Sequence, residues 1–322
     1  MDERMIKDIN ECRPQVIEQF CGQTRVVERC KVALAAAWNQ GTALPHTILQ
    51  SGAGLGKTEL AHILAKEMGS ELHEQLAQNL KDPKDLHAFL LTPNDREVVL
   101  IDEIHELPPL VQTTLYRAME NQQIFLESHQ GKKSRPVKIA NFTILGATTD
   151  PQRLLQPLRD RFRVVLDLLY YSVEELEGLL RNRVRQLAWD IDDAVLFLCA
   201  QRGKGIPRIA LRLLSSVRMT ASAENSERIS VNHFEKTCEL EGLDPIGLNH
   251  NEIQYLKILM ENDGSCRLNI LASRLGLHLK HVSTLIEEFL IREGLVTKSN
   301  SIRILTQKGL EHVKTYHWKD DN

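Results

Sequence analysis

Ile48–Leu64 reads ILQSGAGLGKTELAHIL: an apolar run ending at Gln50, a glycine-rich turn, and at once a helical pattern with Leu60, Ile63, Leu64 and Met68 on one side. Strand, loop and helix N-terminus follow one another within seventeen residues. Backbone N–H groups in such a loop converge on one oxyanion, the helix dipole favours its charge, and Lys57 adds a mobile cation. Thr58 is placed to offer its hydroxyl to a magnesium ion shared with a nucleotide. The phosphate-loop template G-x-x-x-x-G-K-[ST] is met at Gly56, Lys57 and Thr58, with Gly52 and Gly54 between, but its first glycine is Ser51. Gly52 is expected to absorb the sharp turn one residue later. The plain alternative is a glycine-rich turn without a ligand; the strand and helix signals on the correct sides argue for phosphate.

Downstream, Leu80–Leu91 predicts a helix started by Asp82-Pro83 and stopped before Pro93, and then Val98–Ile101 runs unbroken into Asp102 and Glu103. A β-branched and leucine run of this kind is a strand buried on both faces, as in a parallel sheet under helices. Its C-terminal end is where open α/β sheets place ligands. There Asp102 can hold magnesium through its water shell, and Glu103 can orient and deprotonate an attacking water. A third buried strand, Phe142–Gly146, ends in Ala147-Thr148-Thr149-Asp150 and brings hydroxyls to the same edge; Val164–Leu168 is a fourth. Between them Ile124–Ile139 reads as a β-hairpin with a basic Gly131-Lys132-Lys133 tip. PLRDRF, Pro157–Phe162, carries Arg159 and Arg161 outside any strand. Upstream, Thr24–Asn39 has helical periodicity behind a Gly22-Gln23 breaker.

Composition is that of an ordinary soluble protein of 322 residues, long enough for two or three domains. A net charge of −3 gives no global pull toward nucleic acid or anionic lipid, so such binding must come from a local patch. The start, MDERMIKDINECRP, is charged rather than apolar, and no apolar run reaches membrane-spanning length. A cytoplasmic location with no membrane partner is expected. Six cysteines show neither a C-x-x-C pair nor paired Cys/His zinc spacing, which predicts reduced thiols.

From Ser172 the pattern is helical, with a Ser172/Glu175 capping box and a stripe through Leu176, Leu179 and Leu180. After Gly203-Lys204-Gly205-Ile206-Pro207 comes a helix carrying Arg208. A third unit, from about Asn249 to Trp318, reads as helices at Ile253–Met260, Ile270–Leu275 and Val282–Leu290. Two apolar runs follow, Leu295–Val296 and Ile302–Leu305, a winged-helix order. Lys298, Arg303, Lys308 and Lys314 form a local basic stripe suited to phosphate; the alternative is a winged helix that grips protein.

Taken together the blocks RPQVIEQFCGQ, GAGLGKTELA, VVLIDEIHEL, YRAMENQ, FTILGATTDP, PLRDRF, YYSVEEL, GIPRIALRLL and FLIREGLV resemble the RuvB family of AAA+ motors, over nearly the whole chain. The resemblance implies an α/β AAA+ P-loop domain over residues 1–170, a small helical lid over 171–244 and a winged helix over 245–322. It implies ATP-driven branch migration of Holliday junctions in recombination and repair, with ATP and Mg2+, by a homo-hexameric ring on duplex arms. RuvA would dock on the 124–139 hairpin, and RuvC is a further candidate partner. By the same resemblance the ATP-binding set is Arg13, Gly54, Lys57, Thr58, Glu59, Glu120, Asn121, Gln122, Arg161, Tyr171 and Arg208. Thr58 and Asp102 would hold the metal, and Lys57, Asp102, Glu103, Thr149 and Arg161 would carry the chemistry. Arg161 is the finger acting on a neighbour's nucleotide, and Lys298 and Arg303 would contact DNA. For the sensor position Thr148 stands beside Thr149 as an alternative. The chain departs from the family pattern at Ser51 and Ala53, at Arg163 in place of glycine, and in the wing, which reads KSNSIR. A divergent paralogue with a regulatory or loading role is the alternative function.

Overall fold

The computed structural model describes residue 9, residues 12–126 and residues 135–315. The chain divides into two compact units, Met1–Leu187 with Gly205–Arg208, and Ala188–Lys204 with Ile209–Asn322. In the first, chain order is α1 (Thr24–Gln40), β1 (Thr47–Gln50), α2 (Lys57–Glu67), β2 (Leu72–Leu76), α3 (Pro83–Leu90), β3 (Val98–Asp102), α4 (Pro109–Asn121), β4 (Gln123–Leu126), β5 (Arg135–Lys138), β6 (Thr143–Thr148), α5 (Gln156–Arg159), β7 (Val164–Asp167) and α6 (Val173–Leu187). Five strands form one parallel sheet in the order β2-β3-β6-β1-β7. Val98–Ile101 are all at 0 % exposure, as a doubly covered strand requires. Because β6 lies between β1 and β3, the ends of all three meet at one edge.

Local chemistry sets the element boundaries. Asp82 caps α3 by accepting from the Lys84 and Asp85 N–H groups, and the Ser172/Glu175 box opens α6 with bonds of 2.9 and 3.2 Å. Gln23 stands at the N-cap position of α1 with φ 54°, but its amide does not cap that helix. It clasps the Leu169 backbone instead, donating to the carbonyl at 2.7 Å and accepting from the N–H at 3.0 Å. The expected hairpin is present as antiparallel β4 and β5; its Gly131-Lys132-Lys133 tip lies outside the described residues.

His46, just before β1, accepts at Nδ1 from the Ile144 N–H at 3.0 Å, so its ring is held neutral. Burial, reinforced by the Arg163 guanidinium, pushes its pKa down to about 4. The unfolded ring titrates near its ordinary 6.5, so between those values the unfolded state binds more protons than the folded one. Stability is therefore whole above pH 6.5 and falls as pH drops toward 4, by at most about 3 kcal/mol from this group. Urea unfolding of wild type against His46→Gln at pH 7 and pH 5 checks this; the two must lose stability unequally on acidification.

The second unit holds β8 (Asp190–Ile191), α7 (Asp193–Arg202), α8 (Pro207–Ala223) from Ile209 onward, β9 (Arg228–Ile229) and α9 (Val231–Leu240). The expected helical bundle thus also carries a two-residue parallel pair, β8 with β9. Then come α10 (His250–Glu261), β10 (Ser265–Arg267), α11 (Leu268–Leu275) and α12 (Leu279–His281). A π-helical stretch Val282–Ile286 leads into α13 (Glu287–Arg292), β11 (Val296–Ser299), β12 (Ile302–Leu305) and α14 (Gln307–Thr315). The wing is tighter than its apolar runs suggest, because β11 extends to Ser299 and Asn300 turns the chain with φ 51°. A third strand, β10, makes β12 the centre of the sheet order β10-β12-β11. Among the described residues no helix is long and apolar enough to cross a membrane.

Candidate nucleotide site and winged helix

The loop between β1 and α2 needs glycine at two places. Gly54 has φ 79° and Gly56 φ 101°, and a side chain on Gly54 would meet Ile206 at 2.9 Å and Arg208 at 3.0 Å. Ser51 and Gly52 lie outside the positive-φ region, so the expectation that Gly52 takes over a strained turn is corrected. The first glycine of the template is not conformationally required here. The Ser51 hydroxyl donates to the Gly52 carbonyl at 2.9 Å. It also lies 3.3 Å from Lys57 Nζ, which donates to the Ser51 and Gly52 carbonyls at 3.1 Å each. Burial draws the Lys57 ammonium below its usual pKa, while Glu103 and Asp102 oppose the shift. A cation held at the mouth of a helix N-terminus and facing two carboxylates is a seat for a phosphate–metal complex.

The acidic pair completes it. Thr58 Oγ1 is 3.5 Å from Asp102 Oδ2, so a hydroxyl and a carboxylate on different elements converge. Those are hard oxygen ligands, and Mg2+ takes few of them from protein while keeping waters and phosphate oxygens. Among the described residues no group of three or more His, Cys, Asp or Glu could hold a metal ion. Glu103 has φ 49°, a left-handed conformation uncommon outside glycine and characteristic of functional turns. Its Oε2 accepts from the Thr149 hydroxyl at 2.9 Å and N–H at 3.2 Å. Thr148 is fully buried and its hydroxyl meets His105 Nδ1 at 3.0 Å. Of the two threonines, then, Thr149 is the one that touches the glutamate. His105 was missed in the sequence; its Nδ1 also lies 3.2 Å from Glu103, and its Nε2 3.2 Å from Glu106.

Around this centre Arg13 pairs with Glu59 at 3.3 Å, and the Tyr171 hydroxyl reaches the Leu55 carbonyl at 3.5 Å. The Arg208 N–H reaches the Gly54 carbonyl at 3.4 Å. Glu120, Asn121 and Gln122 close α4, where Glu120 pairs with Arg161 at 2.7 Å. Both partners of that pair are solvent-accessible.

Three family descriptions cover the chain consecutively. They are "Holliday junction DNA helicase RuvB P-loop domain" over residues 12–168, "RuvB AAA lid domain" over 171–244 and "RuvB C-terminal winged helix domain" over 245–314. The chain belongs to the RuvB family. It is 34 % identical to the "Holliday junction branch migration complex subunit RuvB" of Kosmotoga olearia, covering 97 % of this chain and 95 % of that one. To the protein of the same name from Anaplasma phagocytophilum it is 36 % identical, with 95 % and 94 % covered. The solved "Thermotoga maritima RuvB Holliday junction branch migration motor" superposes with a TM-score of 0.83 at 34 % identity, over 94 % of this chain and 98 % of that one. The α/β P-loop, lid and winged-helix architecture expected of the RuvB family is therefore that of this chain.

One expected DNA contact of this RuvB-family chain needs correction. Arg303 is 5 % exposed, because β12 is the central strand and its inner face meets α13. Its Nε and Nη2 donate to the two Glu287 oxygens at 2.8 and 2.9 Å, Nη1 reaches the Asn300 carbonyl at 3.4 Å, and the Tyr255 hydroxyl donates to Glu287 at 2.8 Å. This guanidinium is committed to the interior and is not presented to phosphate. Lys298, directly opposite in register on β11, is exposed. Breaking a buried pair costs about 3–5 kcal/mol, whereas an exposed lysine costs about 0.5 or less. Arg303→Ala is accordingly expected to lower the unfolding midpoint sharply. Lys298→Ala should leave it in place and reduce the salt slope of DNA binding by about one. Equal melting curves for the two variants would contradict this division.

Proposed function

We propose that this chain hydrolyses ATP to drive Holliday-junction branch migration. The observation that carries the reading is the meeting of Lys57, Thr58, Asp102, Glu103 and Thr149 at one sheet edge in a chain of RuvB ancestry. Residues 1–170 would form the ATPase part, 171–244 the lid and 245–322 the DNA-binding part. The loop N–H groups and Lys57 bind the β- and γ-phosphates, and Arg13, Glu59, Tyr171 and Arg208 flank the rest of the nucleotide. Mg2+ held by Thr58 and Asp102 would supply charge compensation on the phosphate oxygens. Glu103 takes the proton of the attacking water, and the two bonds from Thr149 hold its carboxylate in line.

By its place in the PLRDRF block of the RuvB family Arg161 acts on a neighbour's nucleotide, with Glu120, its 2.7 Å ion-pair partner, Asn121 and Gln122 facing the same junction. Completion of each site by the next copy makes the interface head-to-tail, and closure gives a ring, here a hexamer. Exposed Phe125 and Leu126 on β4 supply apolar surface for RuvA, and RuvC is a further candidate partner. Lys298 tracks phosphates without reading bases. Burial of Arg303 removes one basic group from that surface and favours, as second reading, a paralogue that keeps the ATPase ring in a regulatory or loading role. A synthetic junction with RuvA and Mg-ATP separates the two: ATP-dependent conversion to two duplexes supports the motor, and ATP consumed without conversion supports the paralogue.

A further inference from the structure

Two buried polar groups beside Glu103 have no part in the chemistry described above. Thr148 is 0 % exposed and His105 7 %. The turn that carries His105 is a short 3₁₀ segment, Ile104–Glu106, closed by the Glu106 N–H on the Glu103 carbonyl at 2.7 Å. Fully buried Ile104 anchors it on β6, where a side chain added to Gly146 would meet Ile104 at 3.0 Å. So tight a turn folds the ring back on the residue two places before it. His105 Nδ1 lies 3.0 Å from the Thr148 hydroxyl and 3.2 Å from Glu103 Oε2. On the other edge Nε2 lies 3.2 Å from Glu106 Oε1, which Arg153 also holds at 2.6 Å.

Three groups thus reach one oxygen of the glutamate: the Thr149 hydroxyl, the Thr149 N–H and the His105 ring all fall on Oε2. A carboxylate oxygen only accepts, so a bare ring nitrogen at that distance repels it and a ring N–H attracts it. The Thr148 hydroxyl suits the same tautomer. Its oxygen already accepts from the Asp150 N–H at 3.0 Å and has a second lone pair for a ring N–H. Donors gathered on Oε2 fix the plane of the carboxylate and leave Oε1 to take a proton from water. Precision matters there, since a misplacement of about 1 Å costs about 10²-fold in rate.

We propose that His105 is a positioning residue of the hydrolytic site: its Nδ1–H, shared between Glu103 Oε2 and the Thr148 hydroxyl, holds the glutamate in the plane that presents Oε1 to the attacking water. The inference rests on the ATPase reading above and adds the residue that aims its general base. Phosphate release and equilibrium ATP binding are measured on the full chain for wild type, Glu103→Gln, His105→Phe, His105→Asn and His105→Gln. The amide nitrogen of asparagine falls where Nδ1 stands and that of glutamine where Nε2 stands, so the two variants tell the edges of the ring apart. His105→Phe should lower kcat about 10- to 10²-fold with KM and ATP affinity kept. His105→Asn should return to within about threefold of wild type, and His105→Gln should stay as low as His105→Phe. If His105→Phe does not fold, asparagine against glutamine decides alone. Turnover of His105→Phe within about threefold of wild type overturns the inference, as does a raised KM with kcat kept. Glutamine that rescues as well as asparagine, or asparagine that rescues no better than glutamine, overturns it too. Wild type without turnover, or Glu103→Gln as fast as wild type, removes the reading of the site and this inference together; turnover that needs Glu103 but treats asparagine and glutamine at 105 alike removes this inference alone.

Discussion

Arg161→Ala is expected to lower ATP turnover by about 10³-fold or more with little change in ATP affinity, because an arginine finger acts on charge that develops only in the transition state. The planar fork spreads charge over several phosphate oxygens, so Arg161→Lys should rescue little. Folding is not at risk. The pair with Glu120 is exposed, 38 % and 48 % by side chain, and such pairs contribute about 0–1 kcal/mol. Steady-state phosphate release measures the loss. A mixing experiment tests its origin: Arg161→Ala subunits combined with Lys57→Ala subunits should regain part of the activity, since some sites then have an intact loop and an intact neighbouring finger. Mixtures that remain as inactive as their components would place the finger in its own subunit's site and remove the reason for a ring.

Glu103→Gln should reduce turnover by about 10²–10⁴-fold, the usual range for removing a general base, while ATP stays bound. The amide has the carboxylate's shape and still offers an oxygen to the Thr149 hydroxyl and N–H, so the left-handed turn at residue 103 keeps its bonds. Only basicity is lost. Single-turnover hydrolysis beside equilibrium ATP binding separates the two quantities. Turnover within about threefold of wild type would remove Glu103 from the proton transfer. Thr149→Val should cost less, because it removes one of two bonds that position the glutamate and not the base itself.

The parts of this account visible in the sequence are those where one residue type has one physical job. Buried strands announced themselves by the unbroken β-branched and leucine run at Val98–Ile101 and the largely apolar run at Phe142–Gly146, and Gly56-Lys57-Thr58 by the demands of a phosphate cradle. The edge strand β2 was illegible because LHEQL sets three polar residues between two leucines, with no period-2 alternation, and none of its residues is buried. Arg303 misled for a related reason. An arginine in a short wing reads as surface until β10 is known to pair with β12 from the other side and turn that strand into a centre. Its carboxylate partner Glu287 is sixteen residues away, in a helix whose preceding turns are π-helical, and periodicity does not foresee such a pairing. The turn at Ser51 and Gly52 was not legible because the template does not say which of its glycines need φ > 0; in this loop only Gly54 and Gly56 do.

Steady-state ATP turnover of the wild-type chain with and without linear duplex DNA, at low and moderate salt, tests the central claim most directly. Turnover stimulated by duplex, with the stimulation falling as salt rises, is the predicted result, since a motor that grips phosphates couples hydrolysis to a salt-sensitive contact. Turnover indifferent to DNA at both salt concentrations would contradict it.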